Sequence, residues 1–203
     1  STRACKLCLL LCDFQFAQVI VPYSGAAIAC DESLKSSIDN IYVVGDANGK
    51  AMLAHTAFKE AEIAVANICG GQRTMRYDCI PSCIYMEPEI ASVGLTEAQA
   101  RERCGNDVKI GRFPLYANSK SLIDGGTDGM MKVILDSKYG EILGVHLFGA
   151  HTTEMIAQFA TAMQSELTAE EVLETVFPHP SVSEGLGEAF LSAWKGSAIH
   201  NVG

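Results

Sequence analysis

Two strand-length apolar runs, residues 129–135 and 141–148, flank the short turn Asp136-Ser137-Lys138-Tyr139-Gly140. Such a spacing predicts a β-hairpin, because a loop of three to five residues containing glycine returns the chain directly beside itself. The residues after the hairpin constrain the fold further. Residues 152–167 place Met155, Ile156, Phe159 and Met163 on one helical face. Thr168-Ala169-Glu170-Glu171 caps another short helix, and a last helix runs to about Trp194. Strands followed by segregated helices predict an α+β domain with an antiparallel sheet and flanking helices, not a doubly wound sheet.

The segments before the hairpin are consistent with this. Short strands broken by Pro88 are expected over 84–94, and Thr96-Glu97-Ala98-Gln99 reads as a capping box opening a helix that ends near Gly105. A strand is expected over 108–113 and a Gly-, Ser- and Asp-rich loop over 118–129. Upstream, Ile41-Tyr42-Val43-Val44-Gly45-Asp46 reads as a buried strand ending in a turn. A helix is expected from about Ala51 to Cys69, with Ala54, Ala57, Phe58, Ala61, Ala64, Val65 and Ile68 as its apolar face and Gly70-Gly71 as its stop. The polar stretch 72–78 is read as a linker, which divides the chain into segments 1–74 and 75–203.

Near the end stands Phe177-Pro178-His179-Pro180-Ser181-Val182-Ser183-Glu184. Proline fixes φ and pushes its predecessor out of the helical region, so this backbone is extended and stiff. The loop presents His179, and the first turn of the next helix presents Glu184. A carboxylate that holds one ring nitrogen leaves the other free to exchange a proton, the arrangement of an acid–base histidine. Ser181-Val182-Ser183-Glu184 also fits a capping box, in which Glu184 only reaches back to a backbone N–H. Both readings stand at this point.

The composition narrows the partners. A net charge of −9 argues against nucleic acid or an anionic membrane as the main partner. The eight cysteines are scattered rather than framed, which points to packed, reduced thiols rather than a disulfide scaffold. Cys5-x-x-Cys8 and Cys79-x-x-x-Cys83 each lack the second half of a structural zinc site, so no metal is expected. The apolar run within 7–11 is far too short to span a bilayer. Without an initiating methionine, the chain opens as though cut from something longer.

A second informative stretch is Gly45-Asp46-Ala47-Asn48-Gly49-Lys50-Ala51-Met52-Leu53-Ala54-His55. A strand delivers Asp46 at its end, where the carboxylate can accept hydrogen bonds from ligand hydroxyls. A turn then delivers the free N–H groups of a helix near Met52, Leu53, Ala54 and His55, which favour negative charge. Gly45-x-x-x-Gly49-Lys50 is one residue short of a phosphate-binding loop, and Ala51 replaces its Ser or Thr, so nucleotide hydrolysis is not expected.

Three blocks together resemble the C-terminal portion of the dihydrolipoamide dehydrogenases, within the flavoprotein disulfide reductases. Ile41-Tyr42-Val43-Val44-Gly45-Asp46 with Met52-Leu53-Ala54-His55 is similar to the family's second flavin motif. Pro88-Glu89-Ile90-Ala91-Ser92-Val93-Gly94-Leu95-Thr96-Glu97 is similar to the opening of its interface domain, and His179-Pro180-Ser181-Val182-Ser183-Glu184 to its histidine–glutamate motif. The resemblance covers about 26–202 and implies roles. Asp46 would bind the ribityl chain of FAD, and the backbone at Met52, Leu53, Ala54 and His55 would lie against the pyrimidine side of the flavin. His179, oriented by Glu184, would be the acid–base for dihydrolipoamide carried on a 2-oxo acid dehydrogenase or glycine cleavage complex. In the family this histidine serves the partner subunit's active site, so a homodimer with a large apolar interface is implied, the last helix and the hairpin contributing. A cytoplasmic or organelle-matrix location is implied as well. The block at Met52 is more similar to dihydrolipoamide dehydrogenase than to glutathione reductase, and the tail from Ser197 has no cysteine pair of the kind mercuric reductases add.

Other features of the family do not occur in these 203 residues. No two cysteines stand in a C-x-x-x-x-C pattern, and no G-x-G-x-x-G loop for FAD or NAD is present. The chain therefore reads as the tail of an FAD-binding α/β domain, atypical over 1–25, plus an interface domain, inactive by itself and without an NAD site. Three readings compete: an enzyme portion completed by another segment or subunit, a non-catalytic dimerisation module with His179 idle, and a flavin-binding module without redox chemistry.

Overall fold

A computed structural model describes residues 8–9, 23–24 and 27–200, and the chain divides into two units, one ending at Tyr77 and the other beginning at Asp78. The cysteine-rich opening from Cys5 to Gln18 lies outside the described residues, apart from Cys8 and Leu9.

The first unit carries β1 (Cys8–Leu9), β2 (Tyr23–Ser24), β3 (Ala27–Ile28) and β4 (Tyr42–Val43). Strand β1 pairs in parallel with β4, and β2 pairs antiparallel with β3. Of the run 41–46, read as a strand ending in a turn, the strand is only Tyr42 and Val43. Gly45, at φ 68°, takes the chain into a 3-10 turn, Gly45–Asn48. Helix α1 (Ala54–Ile68) comes next.

The apolar face expected for α1 is the one it buries only at Ala64. Phe58 and Val65 are 73% and 51% exposed, while Thr56, Glu60, Ile63, Ala64 and Asn67 are buried. Hydrogen bonding decides this, since loops without a ladder must satisfy their backbone groups some other way. Asn67 accepts the Arg73 N–H at 2.7 Å and donates to the carbonyls of Ser33 and Arg73 at 3.0 and 2.8 Å. Glu60 serves the 3-10 turn in the same manner.

The second unit contains β5 (Ser82–Ile84), β6 (Ile90–Gly94), α2 (Glu97–Cys104), β7 (Val108–Pro114), α3 (Ser119–Asp124), β8 (Met130–Asp136), β9 (Ile142–Phe148), α4 (Thr152–Gln164), α5 (Ala169–Leu173) and α6 (Glu184–Lys195). Its five strands form one antiparallel sheet in the order β5-β6-β9-β8-β7. The hairpin of β8 and β9 pairs from Met130 with Phe148 to Leu135 with Ile142. The α+β architecture expected from the order of elements is the one observed.

One sheet face carries the main core. Met131, Val133 and Leu135 of β8 point to it at alternate positions, as the period of a strand requires. Ile156, Phe159 and Met163 of α4, Val172 of α5, and Leu186, Ala189 and Phe190 of α6 complete it. The rings of Phe159 and Phe190 stack 5.5 Å apart. On the opposite face Ala100 of α2 covers Ile134 and Leu143. The predicted box caps α2: Thr96 Oγ1 accepts the Gln99 N–H, and Gln99 returns the bond to the Thr96 N–H. Helix α4 is capped from a distance instead. The Glu89 carboxylate accepts the N–H and hydroxyl of Thr153 at 2.9 and 2.8 Å, bonds that hold its pKa below the usual carboxylate range.

Two close approaches seat α6. A Cβ at Gly111 of β7 would stand 1.9 Å from the Ala189 carbonyl oxygen, and one at Gly185 would meet Met131 Sδ at 3.0 Å and the Phe113 ring at 3.1 Å. Only glycine lets the helix lie this near the sheet.

The loop expected over 118–129 is a correction, because it holds helix α3. Asn118 caps it, accepting the Ser121 N–H at 2.9 Å and hydroxyl at 3.1 Å, and Gly125 closes it at φ 75°. Residues rich in turn propensity form a helix here because a cap at each end satisfies its orphan groups.

Candidate active site

His179 stands on the segment between Phe177 and α6, and its Nδ1 lies 2.8 Å from Glu184 Oε1. The other carboxylate oxygen accepts the Ser181 N–H at 2.8 Å. The two contacts that the sequence readings gave Glu184, one to the histidine and one back to a backbone N–H, are therefore both present in one side chain. The capping box itself is incomplete: Ser183 is the N-cap, and no side chain caps α6. Burial raises the Glu184 pKa, but the Ser181 N–H, the His179 hydrogen bond, and the charges of His179 and His200 outweigh it and leave the group below its ordinary value. The imidazole is 71% exposed and the carboxylate 26%, so the ring is presented to the outside while its anchor is sheltered.

Two features fix this presentation. Phe177 packs on α6, where a Cβ at Gly187 would meet its ring at 3.1 Å. Asn118, 3% exposed, donates from Nδ2 to the Ser181 carbonyl at 3.0 Å, tying the loop to the start of α3. Sequence reasoning missed Asn118. Its signal was there, an Asn three residues before Ser121, but nothing in the pattern tells which loop its other end would hold.

In the first unit the structure places Asp46 on the 3-10 turn with its side chain exposed. Met52 is 73% exposed, Leu53 is the N-cap of α1, and Ala54 and His55 open the helix without any side-chain cap. The hydroxyl of Thr56 in the same first turn is buried and has no partner among the described residues. Beneath the turn lies a polar knot that sequence reasoning also missed. Glu60, fully buried, accepts the Gly45 N–H at 2.5 Å, the Asn48 amide at 2.8 Å and the Tyr77 hydroxyl at 2.6 Å. Burial, then the bond to Glu60, pushes the Tyr77 hydroxyl pKa far up, so the phenol stays a donor. Asp46 is thus carried on a turn that is pinned from below.

These arrangements define a class: an exposed imidazole steered by a sheltered carboxylate on an α+β domain, and a strand–turn–helix unit offering a carboxylate and an uncapped helix start. The model of the pyridine nucleotide-disulphide oxidoreductase dimerisation domain matches residues 80–190, and the chain belongs to that family. It is 45% identical over 169 residues to the dihydrolipoyl dehydrogenase of Rhizobium etli, a match covering 82% of this chain and 35% of that protein. Among solved structures it is similar to LpdA from Mycobacterium tuberculosis, with TM-score 0.77 and 24% identity over 83% of this chain and 37% of that one, a likeness of fold. It is also similar to the Cu(II) complex of the HOCl-induced flavoprotein disulfide reductase RclA from Escherichia coli, with TM-score 0.73 and 30% identity over 81% of this chain and 37% of that one. The chain spans about a third of the length of the relatives it matches.

Proposed function

We propose that this chain is the C-terminal portion of a homodimeric dihydrolipoyl dehydrogenase of the cytoplasm or an organelle matrix, and that it supplies the dimer interface, one side of the flavin site, and the His179–Glu184 acid–base pair. The observation that carries this is the 2.8 Å contact between His179 Nδ1 and Glu184 on a loop held from both sides. Glu184 keeps the ring in one orientation, so Nε2 can take the thiol proton of dihydrolipoamide. The resulting thiolate is the form that attacks a disulfide, which another segment of the enzyme would provide. An imidazole suits this exchange because histidine ordinarily titrates near neutrality.

Asp46, exposed on its pinned turn, fits the ribityl hydroxyls of FAD, and the uncapped start of α1 fits the electron-rich edge of the ring. Bound there, the flavin would supply electron transfer between dithiol and NAD. Residues for NAD are not recognisable in the chain. The boundary near 74–78 would separate flavin-side and interface portions. Dimer contact is supported by an apolar row at one end of the sheet, where Ile90, Phe148, Met130 and Pro114 pair in register and Phe148 and Met130 are each 39% exposed.

The test is a chimera in which this chain replaces the matching segment of the Rhizobium etli enzyme, assayed with dihydrolipoamide and NAD. H179Q should lower turnover by about 10²–10⁴ and E184Q by a smaller factor. Unchanged turnover in H179Q would end the proposal.

A further inference from the structure

Helix α6 carries a second carboxylate one turn beyond Glu184. Residues four apart lie on one helical face, and Glu188 repeats the construction of its neighbour. Its Oε1 lies 2.8 Å from His200 Nδ1, and its Oε2 accepts the N–H groups of Ile199 and His200 at 2.7 and 3.3 Å. Each carboxylate thus clamps one imidazole nitrogen with one oxygen and backbone with the other. Glu188 is only 11% exposed while the His200 ring is 68% exposed. A sheltered acid again holds an outward ring, which an ordinary surface ion pair does not do.

The two pairs meet. His179, Glu184, Glu188 and His200 line one cleft of about 40 Å³, together with Asn118 and Ser119. That is room for an ordered water, which needs roughly 10–15 Å³ and two to four polar partners. The cleft's remaining lining, Phe113, Ala117 and Gly185, is uncharged. Among the described residues, the charged groups facing His200 are Glu188 and Glu184 of α6 and His179 of the loop, with Lys195 in the adjoining groove that Glu184, Glu188 and Ile199 also line.

We propose that Glu188 and His200 form a proton-exchange pair for His179, through which the proton His179 acquires passes by way of the shared cleft to solvent. The step is a proton transfer only. His179 imidazolium gives up one proton, a cleft water relays one to neutral His200, and His200 imidazolium releases one outside, so charge moves and no electrons do. The inference rests on the proposed acid–base role of His179, whose Nε2 gives up the proton it took while Nδ1 stays bonded to Glu184.

Two measurements separate it from that role. The first uses the chain as it is: ring resonances of His179 and His200 are followed by NMR against pH. Interacting sites titrate together, so each curve should contain the other's step, and in H200Q the His179 curve should become single-step. E188Q, which keeps the shape of the side chain, serves if H200Q loses its fold. A His179 curve identical in the parent and the variant overturns the proposal. The second uses the chimera. H200Q should lower kcat about tenfold in dilute buffer with KM unchanged, and free imidazole in the buffer should restore it; a tail that only packs would not be rescued. No loss, or a loss without rescue, overturns the proposal. An inactive chimera would count against the dihydrolipoyl dehydrogenase reading, while the NMR coupling would still judge the pair.

Discussion

Replacing Gly111 by alanine tests how α6, and with it Glu184, is seated. Two effects oppose each other. Alanine narrows the unfolded ensemble and by that route stabilises a strand residue by about 0.4–1 kcal/mol. Against this, the new Cβ would stand 1.9 Å from the Ala189 carbonyl oxygen, 2.6 Å from the Ala193 nitrogen and 2.8 Å from the Ala193 Cβ. Ordinary contact lies near 3.5 Å, so helix and strand must part by roughly 1.5 Å. Those atoms belong to backbone and a first side-chain carbon, and no rotamer relieves them. The separation would loosen Leu186, Ala189, Phe190 and Ala193, all buried in the main core. Overpacking alone costs about 1–3 kcal/mol, and a gap of 0.5–1 Å forfeits roughly a quarter to a half of each dispersion contact. Packing therefore wins, and a net loss of about 2–4 kcal/mol is expected. Trp194, the sole tryptophan, lies on α6 under the Lys109 ammonium, 4.0 Å from its ring, and its fluorescence reports this unit. With a urea slope of about 2 kcal/mol/M, the midpoint should fall by roughly 1–2 M. A midpoint equal to or above that of the parent chain would refute the packing argument.

Three further substitutions probe buried and clustered polar groups. Glu60→Ala strands three donors at once, the Gly45 N–H, the Asn48 amide and the Tyr77 hydroxyl. It should cost about 3–5 kcal/mol and speed amide exchange in the 45–49 turn by about a hundredfold, whereas Tyr77→Phe should cost about 1 kcal/mol; equal effects would contradict the network. Glu97 is bonded by Lys132 and Arg101, with Arg112 adding its charge, and these together lower its pKa from 4.5 to about 2 despite some desolvation. A depressed carboxylate contributes stability above its unfolded pKa and loses it as pH falls through the folded one. Stability should therefore fall more steeply between about pH 4.5 and 2 in the parent chain than in Glu97→Gln; parallel curves of the urea midpoint against pH would dismiss the contribution.

Legibility differed from element to element for identifiable reasons. The hairpin and α4 were readable because their apolar period agreed with the tertiary outcome, and α2 because its capping box formed. Helix α1 was placed correctly but its face was not, since Glu60 and Asn67 are polar residues buried to satisfy backbone far away in sequence. Helix α3 was read as loop because its stability comes from Asn118 and its bonds to the Ser181 segment, 63 positions on. His179 and Glu184 announced themselves through the prolines and the spacing. Glu188 and His200 did not, being 12 positions apart in an unremarkable tail.

By itself the sequence determined the class of fold, the identity of the histidine–glutamate pair, and the strand–turn–helix that bears Asp46, because each is encoded in residues close together along the chain. Only the tertiary structure decided which faces were buried, which carboxylates were sheltered, and that two imidazoles share one cleft. Those properties depend on backbone approaches such as Gly111 to Ala189 and on hydrogen bonds between distant segments, and no local pattern carries information about who the neighbours in space will be.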